Sequence, residues 1–405
     1  MSSSALVLAS EKVGYRTVEP PCPYFGACGG CTLQDLAYED QAALKWSRMQ
    51  RQLAPLEPLP AVEWIPADDP WRYRNKAELT FSDRDGPLAL GYHAARSYWR
   101  VIDLEDCLLL PESVLRVART IRELAAATGL GAYHPNTRRG FFRHLVIRHS
   151  RTTGRLLAAL ITGPGTRDVP DRVLEQAMTR HPELAGAYWG ISDKLADVAV
   201  PQDLVHLRGA ALLDDCVGPF QVSLQPFSFL QPNTRQAERM YERLLQAVRD
   251  RQAGVGWDLY CGVGLIACYL ARVVPKVYAI DCEPHHLDQA RRNASANGLT
   301  QIDFRLGRVE DLLMDRRFWL VEAKPDVVIV DPPRAGLHPR ALASLTAAKP
   351  QWLAYLSCNV QAFVRDAEQL RDGYPRYRLT ELTAFDMFPQ TGHVEVLGIF
   401  ERALR

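Results

Sequence analysis

The chain has 405 residues, of which 47% are hydrophobic and 23% are charged, and its formal net charge is +1. These values are typical of folded globular proteins, and the length predicts two or three domains. The net charge is close to zero, so it does not indicate a nucleic acid or any other charged partner. No apolar run reaches about 18 residues and no segment resembles a signal peptide, so we expect a cytoplasmic protein without a membrane span.

The first 60 residues form two short segments. Residues 1–21 are a polar leader, and residues 22–60 are rich in cysteine at their start. A helical pattern over Tyr38–Leu53 leads into a Pro-rich run that marks a boundary near residue 60. We therefore predict a small N-terminal segment that precedes the larger domains.

The range 61–225 mixes the two kinds of periodicity. Period-2 alternation predicts four strands and helical spacing predicts two helices. The predicted strands are Lys76–Phe81, Trp99–Leu104, His144–Arg148 and Arg155–Ile161, and the predicted helices are Ser113–Ala126 and Val169–Thr179. This range is predicted to be a central α+β domain.

The range 226–405 changes character, because short apolar strands alternate with helices after a first helix at Thr234–Arg251. The predicted strands are Gly256–Tyr260, Lys276–Ile280, Ile302–Leu306, Val327–Val330, Trp352–Leu356, Thr380–Phe385 and Val394–Phe400, and the predicted helices include Leu265–Val273 and Pro284–Asn297. Such a pattern indicates an α/β domain with a mostly parallel sheet covered on both faces. Open α/β sheets bind ligands at the carboxyl ends of their strands, so the residues that follow each strand are the candidate site.

A glycine turn follows the first of these strands. Gly262 and Gly264 lie between a strand and a helix, where the backbone can approach a ligand closely, although a plain tight turn has the same pattern. Asp281 ends the next strand, where a carboxylate can accept both hydroxyls of a ribose. Leu265 follows Gly264, so the third glycine of the dinucleotide fingerprint is missing. The pattern favours S-adenosylmethionine over a dinucleotide.

Two further strands end in residues that can carry chemistry, and the last strand begins with such residues. Asp331 is held between a strand and two prolines, which restrict its backbone. Cys358 follows a strand and has polar neighbours, which makes it the candidate nucleophile, but burial is the ordinary state of a free cysteine and reactivity requires a lowered thiol pKa that the pattern does not show. His393 and Glu395 lie two residues apart at the start of the last strand, on one face, where either can move a proton.

Four cysteines form a separate candidate site. Cys22, Cys28 and Cys31 have the spacing C-x5-C-x2-C, and Cys107 lies 76 residues after Cys31. Four thiolates can hold zinc or an iron–sulfur cluster, and the spacing leaves both open. A disulfide framework is not expected in the cytoplasm.

Two stretches combine positive charge with aromatic rings. Arg74 and Lys76 lie near Trp71 and Tyr73, and Arg139 and Arg143 flank two phenylalanines. Such stretches are typical of RNA-binding surfaces, where bases stack on rings, but a solvated charged face has the same composition.

The motifs together resemble the RNA uracil-C5 methyltransferase family, which includes the enzymes that form ribothymidine in 23S rRNA and tRNA. The resemblance extends from Cys22 nearly to the C-terminus. Its seven motifs, in chain order, are 22–34, 73–76, 229–233, 258–264, 331–336, 357–359 and 386–395. It implies a class I, Rossmann-like methyltransferase domain over 226–405, a central RNA-binding domain over 61–225 and an iron–sulfur segment over 22–60.

The resemblance also implies roles for individual residues. Cys358 is implied to be the nucleophile that adds to uracil C6, and Glu395 the base that removes the C5 proton. S-adenosylmethionine is implied to contact Gln231, Tyr260, Asp281 and Asp331, together with the turn of Gly262 and Gly264. Phe229 is implied to lie near the target base, with Arg74, Lys76, Arg139 and Arg143 as RNA contacts. A [4Fe–4S] cluster is implied on Cys22, Cys28, Cys31 and Cys107. Leu265 departs from members that have a polar residue at this position.

The RNA target is less specific than the reaction. Only 21 residues precede Cys22, too few for the TRAM domain with which many relatives begin, so the chain resembles the short uracil-747 type. Its Cys-Gly-Gly-Cys run instead resembles the uracil-1939 type. We expect 23S rRNA as the substrate, with uracil-54 of tRNA as the alternative, and no obligate protein partner. A non-catalytic iron–sulfur RNA-binding protein and a nucleotide-dependent dehydrogenase are the rival classes.

Overall fold

The structure is a computed structural model that describes residues 11–97, 99–315, 317 and 324–403. Residues 1–10 of the predicted leader therefore lie outside the described residues. Two large sheets and one hairpin organise the chain, and helices cover both faces of one sheet and mainly one face of the other.

The N-terminal and central elements run from residue 38 to residue 224. They are α1 (Tyr38–Leu53), a short 3-10 helix (Ala54–Leu56), β1 (Val62–Ile65), β2 (Lys76–Ser82), β3 (Ala89–His93), β4 (Val101–Asp103), α2 (Glu112–Ala126), β5 (Phe142–His149), β6 (Leu156–Thr162), α3 (Asp168–Arg180), β7 (Leu184–Ile191), β8 (Asp203–Gly209), β9 (Leu213–Val217) and β10 (Phe220–Leu224).

The C-terminal elements alternate between helices and strands until the last two strands. They are α4 (Thr234–Arg249), β11 (Val255–Leu259), α5 (Leu265–Leu270), β12 (Lys276–Asp281), α6 (Pro284–Ala296), β13 (Ile302–Leu306), α7 (Val309–Leu312), β14 (Val327–Val330), α8 (Pro339–Ala348), β15 (Trp352–Ser357), α9 (Val360–Asp372), β16 (Tyr377–Phe385) and β17 (Glu395–Arg402).

The eight-stranded sheet has the order β1-β16-β17-β15-β14-β11-β12-β13. The five strands from β11 to β15 are parallel, and β17 runs antiparallel to both of its neighbours. Side chains on one face form a core with α4, α5 and α6, and those on the other face form a core with α1, α8 and α9. The expected α/β sheet is therefore confirmed, including the meeting of its strand ends at one edge.

One strand lies in a different sheet from the one that its position in the chain predicts. Residues 62–65 fall in the range 61–225, yet β1 pairs in parallel with Leu382–Phe385 of β16. Helix α1 also packs against the eight-stranded sheet, because Met49 and Leu53 lie in the same core as Trp257. The cysteine-rich segment and the first strand after it are thus built onto the C-terminal domain.

The seven-stranded sheet has the order β4-β3-β2-β5-β6-β7-β8 and is antiparallel except for β6 and β7. Helices α2 and α3 pack on one face, where Leu79 and Phe81 of β2 are buried. The alternate residues of β2, including Lys76 and Thr80, point to the opposite face, which has only a small apolar core. This second face is therefore the more open and more polar one.

The lengths and polarity of the helices can be compared with what a membrane span requires. Within the described ranges, no helix is both long and apolar enough to cross a bilayer.

Candidate active site and cofactor cavity

Cys358 is positioned by the end of β15 and the start of α9. It directly follows Ser357, and the side chain of Asn359 caps the helix by accepting hydrogen bonds from the N–H groups of Gln361 (3.1 Å) and Ala362 (3.4 Å). The Asn359 amide also donates to the carbonyl of Arg334 at 3.0 Å. This bond ties the cysteine to the Pro-rich loop after β14, and the thiol itself is half-buried.

Two carboxyl groups face the thiol from neighbouring strand ends. Glu395 begins β17 and is only 1% exposed, and its Oε2 has no hydrogen-bond partner among the described residues. Burial holds the pKa of Glu395 well above its usual value, and the adjacent charge of Asp331 raises it further. Burial also raises the pKa of Asp331 to about 7. The two groups therefore compete for a proton.

Arg334 provides the opposite charge at this edge. Burial raises the pKa of the Cys358 thiol, and the carboxylates of Glu395 and Asp331 raise it as well, whereas the charge and hydrogen bond of Arg334 lower it. The same guanidinium opposes the raised pKa of Glu395. Arg334 lies in the recognised 331–336 motif, but its role next to the thiol was not predicted. Its position three residues after Asp331 in the same loop is the signal that could have identified it.

Two buried residues beneath the site were also missed. Asp258 is fully buried, and burial together with the charge of Asp331 holds its pKa well above the usual value. Tyr241 of α4 is buried beside the same carboxyl groups, and burial followed by the charges of Asp331 and Glu395 raises its pKa. Several acidic groups thus share one low-dielectric region, which favours their neutral forms.

The glycine turn brings Asp281 into contact with backbone donors. Tyr260, Gly262 and Gly264 all have positive φ values, of 66°, 53° and 79°. A Cβ atom on Gly264 would come within 2.7 Å of the Ala290 Cβ, so only glycine allows α6 to pack this closely. The N–H of Gly262 donates to Asp281 Oδ2 at 2.8 Å. The turn and the ribose-binding candidate are therefore one unit.

Asp281 is held in its charged form. Burial opposes its ionisation, but the hydrogen bond to His286 and the N–H groups of Glu283 and Gly262 together hold the pKa of Asp281 below its usual value. The Asp281 carboxylate and the Tyr260 ring line a cavity of about 930 Å³. The rest of the lining comes mainly from the start of α7 with the residue before it (308–310) and from the segment 333–339 that leads into α8. A cavity of this size that contains the fixed Asp281 carboxylate fits the nucleoside half of S-adenosylmethionine.

The segment 226–234 is held by the central domain. The Asn75 side chain donates to the carbonyl of Gln231 at 2.8 Å and to Thr234 Oγ1 at 3.0 Å. The buried Arg148 of β5 donates to the carbonyl of Ser228. Phe229 remains 53% exposed at this junction. Gln231 is buried and does not line the large cavity, so its predicted cofactor contact stays a prediction.

The basic residues predicted to bind RNA have different surroundings. Arg139 is exposed, and Lys76 forms an ion pair with Glu78 at 2.7 Å. Arg143 is buried and donates to the carbonyls of Ser192 and Ala196. The charge of Arg74 acts on the thiols of the cysteine-rich segment, because this side chain lines the cavity between them. Their contacts with RNA stay predictions, and only Arg139 has the exposed guanidinium that a phosphate contact requires.

The four predicted ligand cysteines line one cavity of about 100 Å³. They are Cys22, Cys28, Cys31 and Cys107. The N–H of Gly30 lies 3.4 Å from Cys28 Sγ, and the Cys28 residue pairs with Ala94 of the central domain. No three His, Cys, Asp or Glu side chains within the described ranges are arranged to hold a single metal ion. The thiols therefore surround a space without converging on one point.

Side chains of helix α1 hold residues 386–390 of the segment that leads into Glu395. Lys45 Nζ pairs with Asp386 Oδ1 at 2.7 Å, and Asp386 Oδ2 accepts from the Tyr38 hydroxyl at 2.9 Å. Gln41 and Gln390 form reciprocal hydrogen bonds of 2.9 and 3.1 Å. His393 lies in this segment, and burial lowers its pKa, with Arg334 as the next cause. The N-terminal segment is thus part of the wall of the site.

Comparison with known proteins gives a consistent result. The family model described as tRNA (Uracil-5-)-methyltransferase matches residues 220–403. An uncharacterised RNA methyltransferase of Halalkalibacterium halodurans is 31% identical over 95% of this chain and 83% of its own length. Another, of Caldanaerobacter subterraneus, is 32% identical over 95% and 85%. The crystal structure of the tRNA (uracil-54, C5)-methyltransferase of Pyrococcus abyssi with S-adenosyl-L-homocysteine is similar with a TM-score of 0.76, at 27% identity, over 92% of this chain and 86% of that chain.

Proposed function

This chain belongs to the RNA uracil-C5 methyltransferase family, and on that premise we propose that it methylates C5 of a uracil in 23S rRNA through a covalent adduct on Cys358. The observation that supports the proposal most is the meeting of Cys358, Asp331 and Glu395 at one edge of the sheet. This edge adjoins the cavity that contains Asp281. Nucleophile, base and cofactor site are the three parts that the reaction needs.

Uracil C5 is too weak a nucleophile to take a methyl group unaided. Cys358 would add its sulfur to C6 as a thiolate, and the electrons of the C5–C6 double bond would move towards O4 as an enolate. When bound, S-adenosylmethionine supplies an electrophilic methyl group on its sulfonium. The enolate carbon C5 would form the new C–C bond as the S–CH3 bond breaks and S-adenosyl-L-homocysteine is released as the leaving group, so that C5 then carries both the methyl group and its original proton.

Glu395 would complete the reaction. As a carboxylate, it would take the proton from C5, the C5–C6 double bond would re-form, and the bond between Cys358 and C6 would break. Its burial suits this role, because a raised pKa makes the ionised group a stronger base than an exposed carboxylate. Arg334 would support the first step by favouring the thiolate, against the burial and the carboxylates that disfavour it.

The experiment that tests the proposal uses methyl-labelled S-adenosylmethionine. Purified protein is incubated with unmodified 23S rRNA or, separately, with unmodified tRNA, and the position of the label is mapped by nuclease digestion. We expect label at C5 of one uracil in 23S rRNA and none with Cys358→Ala. No transfer to either RNA would overturn the methyltransferase proposal. Transfer that survives Cys358→Ala would overturn only the covalent mechanism.

A second candidate substrate is tRNA. It is favoured by the similarity to the Pyrococcus abyssi enzyme, which acts on uracil-54 of tRNA. The same experiment separates the two, since label in tRNA alone would replace the rRNA assignment. The Cys-Gly-Gly-Cys run supports rRNA, as in uracil-1939 type enzymes.

We also propose that Cys22, Cys28, Cys31 and Cys107 hold a [4Fe–4S] cluster. Four thiols line one cavity, and an N–H group is directed at Cys28 Sγ. This arrangement fits a cluster, in which each cysteine ligates a different iron atom, better than it fits a single metal ion. The cluster would join the N-terminal segment to the central domain, which contributes Cys107. Iron content and visible absorbance of protein purified without oxygen test this, with Cys216→Ser as the matched control for Cys31→Ser. Full iron content in Cys31→Ser would contradict it.

A further inference from the structure

The open face of the seven-stranded sheet contains another cavity, at the opposite end of β2 from Lys76. Its volume is about 210 Å³, and it lies between the strands and two flanking loops. The loop before β4 contributes Trp99, and the loop before β5 contributes Tyr133 and Asn136. From the connection between β7 and β8 come Leu195 and Asp197. The proposed chemistry uses none of these residues.

Two large apolar side chains stand exposed at the mouth of this cavity. Trp99 is 63% exposed and Leu195 is 68% exposed. The guanidinium of Arg84 lies 5.4 Å from the centre of the Trp99 ring. An exposed indole with a cation on its face is a stacking platform that accepts any flat aromatic ring. The mouth therefore has the chemistry that binds a nucleobase.

The lining of the cavity also contains polar groups. The carboxylate of Asp197 lies 3.3 Å from His93 Nε2 and 3.2 Å from His144 Nε2. The hydroxyl of Thr80 lies 3.4 Å from His93 Nε2 and 3.3 Å from His144 Nδ1. The Asp197 carboxylate disfavours a phosphate beside it, whereas the edge of a neutral base can hydrogen-bond to such groups. The cavity thus selects bases over phosphates.

The rim has the opposite charge. The loops over 94–100 and 134–140 carry exposed arginines, which are Arg96, Arg100, Arg138 and Arg139. The acids nearby have partners, since Asp83 binds His134 at 3.0 Å and Asp85 binds Arg100 at 3.4 Å. Positive charge around a cavity that contains a carboxylate and an exposed indole fits a nucleotide whose base enters while its phosphates stay outside.

The cavity lies on the face of the sheet that leads to the active site. Thr80 and Lys76 point to the same face of β2, about 13 Å apart at roughly 3.3 Å per residue. Lys76 pairs across the strands with Arg148, which holds the segment that contains Phe229. An RNA strand on this face would therefore reach both the target uracil and the cavity.

We propose that this cavity binds an unpaired nucleobase of the RNA other than the uracil that is methylated, with Trp99 as its stacking partner. The proposal rests on the RNA methyltransferase function proposed above. It makes the cavity a specificity site, because only an RNA with an unpaired base at the correct distance from the target fills it. A protein partner on the exposed Trp99 and Leu195 is the competing outcome.

The test compares Trp99→Ala with wild type on a fragment of unmodified 23S rRNA. Loss of one stacked base weakens binding on the order of tenfold. We therefore expect the KM for RNA to rise about tenfold with kcat unchanged, and Trp99→Phe to retain most of the affinity. Tyr374→Ala removes an equally exposed ring from the C-terminal domain and should have no effect. Because Trp99 is exposed, the variant is expected to fold, and its thermal unfolding midpoint checks this.

An abasic scan identifies the partner base. Single abasic sites in the fragment are assayed with both proteins, and we expect one site outside the target to weaken wild type about tenfold while leaving Trp99→Ala unaffected. Equal losses with both proteins, or an unchanged KM for Trp99→Ala, would overturn the proposal. Absence of methyl transfer by wild type would instead indicate that the proposed function has failed, so the two failures are distinct.

Discussion

Lys45 and Asp386 form an ion pair in which both side chains are completely buried, with 2.7 Å between Nζ and Oδ1. They are 341 residues apart in the chain. Lys45 Nζ also donates to the carbonyl of Phe388 at 3.0 Å. The pair therefore joins helix α1 to the segment that begins at Asp386, nine residues before Glu395. It makes the N-terminal segment part of the catalytic domain.

Removing one partner of this pair should destabilise the protein strongly. Lys45→Met leaves the Asp386 charge buried without its cation, which costs about 3–5 kcal/mol in the free energy of unfolding. Urea denaturation measures the loss. Arg16→Met is the control, because the pair of Arg16 with Glu39 is exposed and its loss should change stability by no more than about 0.5 kcal/mol. Equal effects of the two substitutions would contradict the structural role of the buried pair.

Glu395→Gln should block the last step of the proposed reaction. The amide cannot take the proton from C5, so methylated RNA should remain bonded to Cys358 and turnover should fall about 10²- to 10⁴-fold. Denaturing electrophoresis with labelled RNA measures the trapped complex. Cys358→Ala combined with Glu395→Gln should give no such complex. Free methylated RNA in wild-type yield from Glu395→Gln would show that another group is the base.

The raised pKa of Asp331 should make stability depend on pH. The folded protein keeps this proton up to about pH 7, whereas the unfolded chain loses it near pH 4, so the folded state binds more protons in between. The contribution to the free energy of unfolding therefore falls as pH rises from about 4 to 7. Urea denaturation across this range should show a shallower decline for Asp331→Asn than for wild type. Parallel curves would contradict the raised pKa.

Activity should have the opposite pH dependence. Base catalysis by Glu395 requires its carboxylate, and the neighbouring Asp331 competes for the same proton, so kcat/KM should increase as pH rises through neutrality. Rates measured between pH 5.5 and 9 on one RNA test this. A flat profile across this range would mean that proton removal does not limit the reaction.

Asp281→Asn should weaken cofactor binding selectively. Loss of a charged hydrogen-bond acceptor costs about 1.5–3 kcal/mol, which is roughly ten- to a hundredfold in Kd. Calorimetry with S-adenosyl-L-homocysteine measures it. Asp303→Asn is a matched control on the neighbouring strand, since its carboxylate pairs with Arg305 at 2.9 Å and does not line the cavity. Unchanged affinity in Asp281→Asn would place the ribose elsewhere.

Much of the site could be predicted because its residues follow strands. Parallel strands place their carboxyl ends at one edge, so Gly262, Asp281, Asp331 and Cys358 were expected to lie close together once each strand was identified. Strands such as β14, in which every residue is apolar, are recognisable from local sequence alone. The second, open face of the central sheet was not predicted, since β3, β7 and β8 were not identified.

The amino-acid sequence alone determined the α/β class, the family and the strand-end residues, because these depend on periodicity and on contiguous motifs. Only the tertiary structure decided which side chains are exposed and can contact a ligand. Arg139 and Arg143 look alike in the chain, yet one is exposed and the other is buried against the carbonyls of Ser192 and Ala196. The charge states of Asp331 and Glu395 were decided in the same way. Burial and ionisation depend on neighbours that folding brings together from distant parts of the chain, and these neighbours cannot be predicted from local sequence.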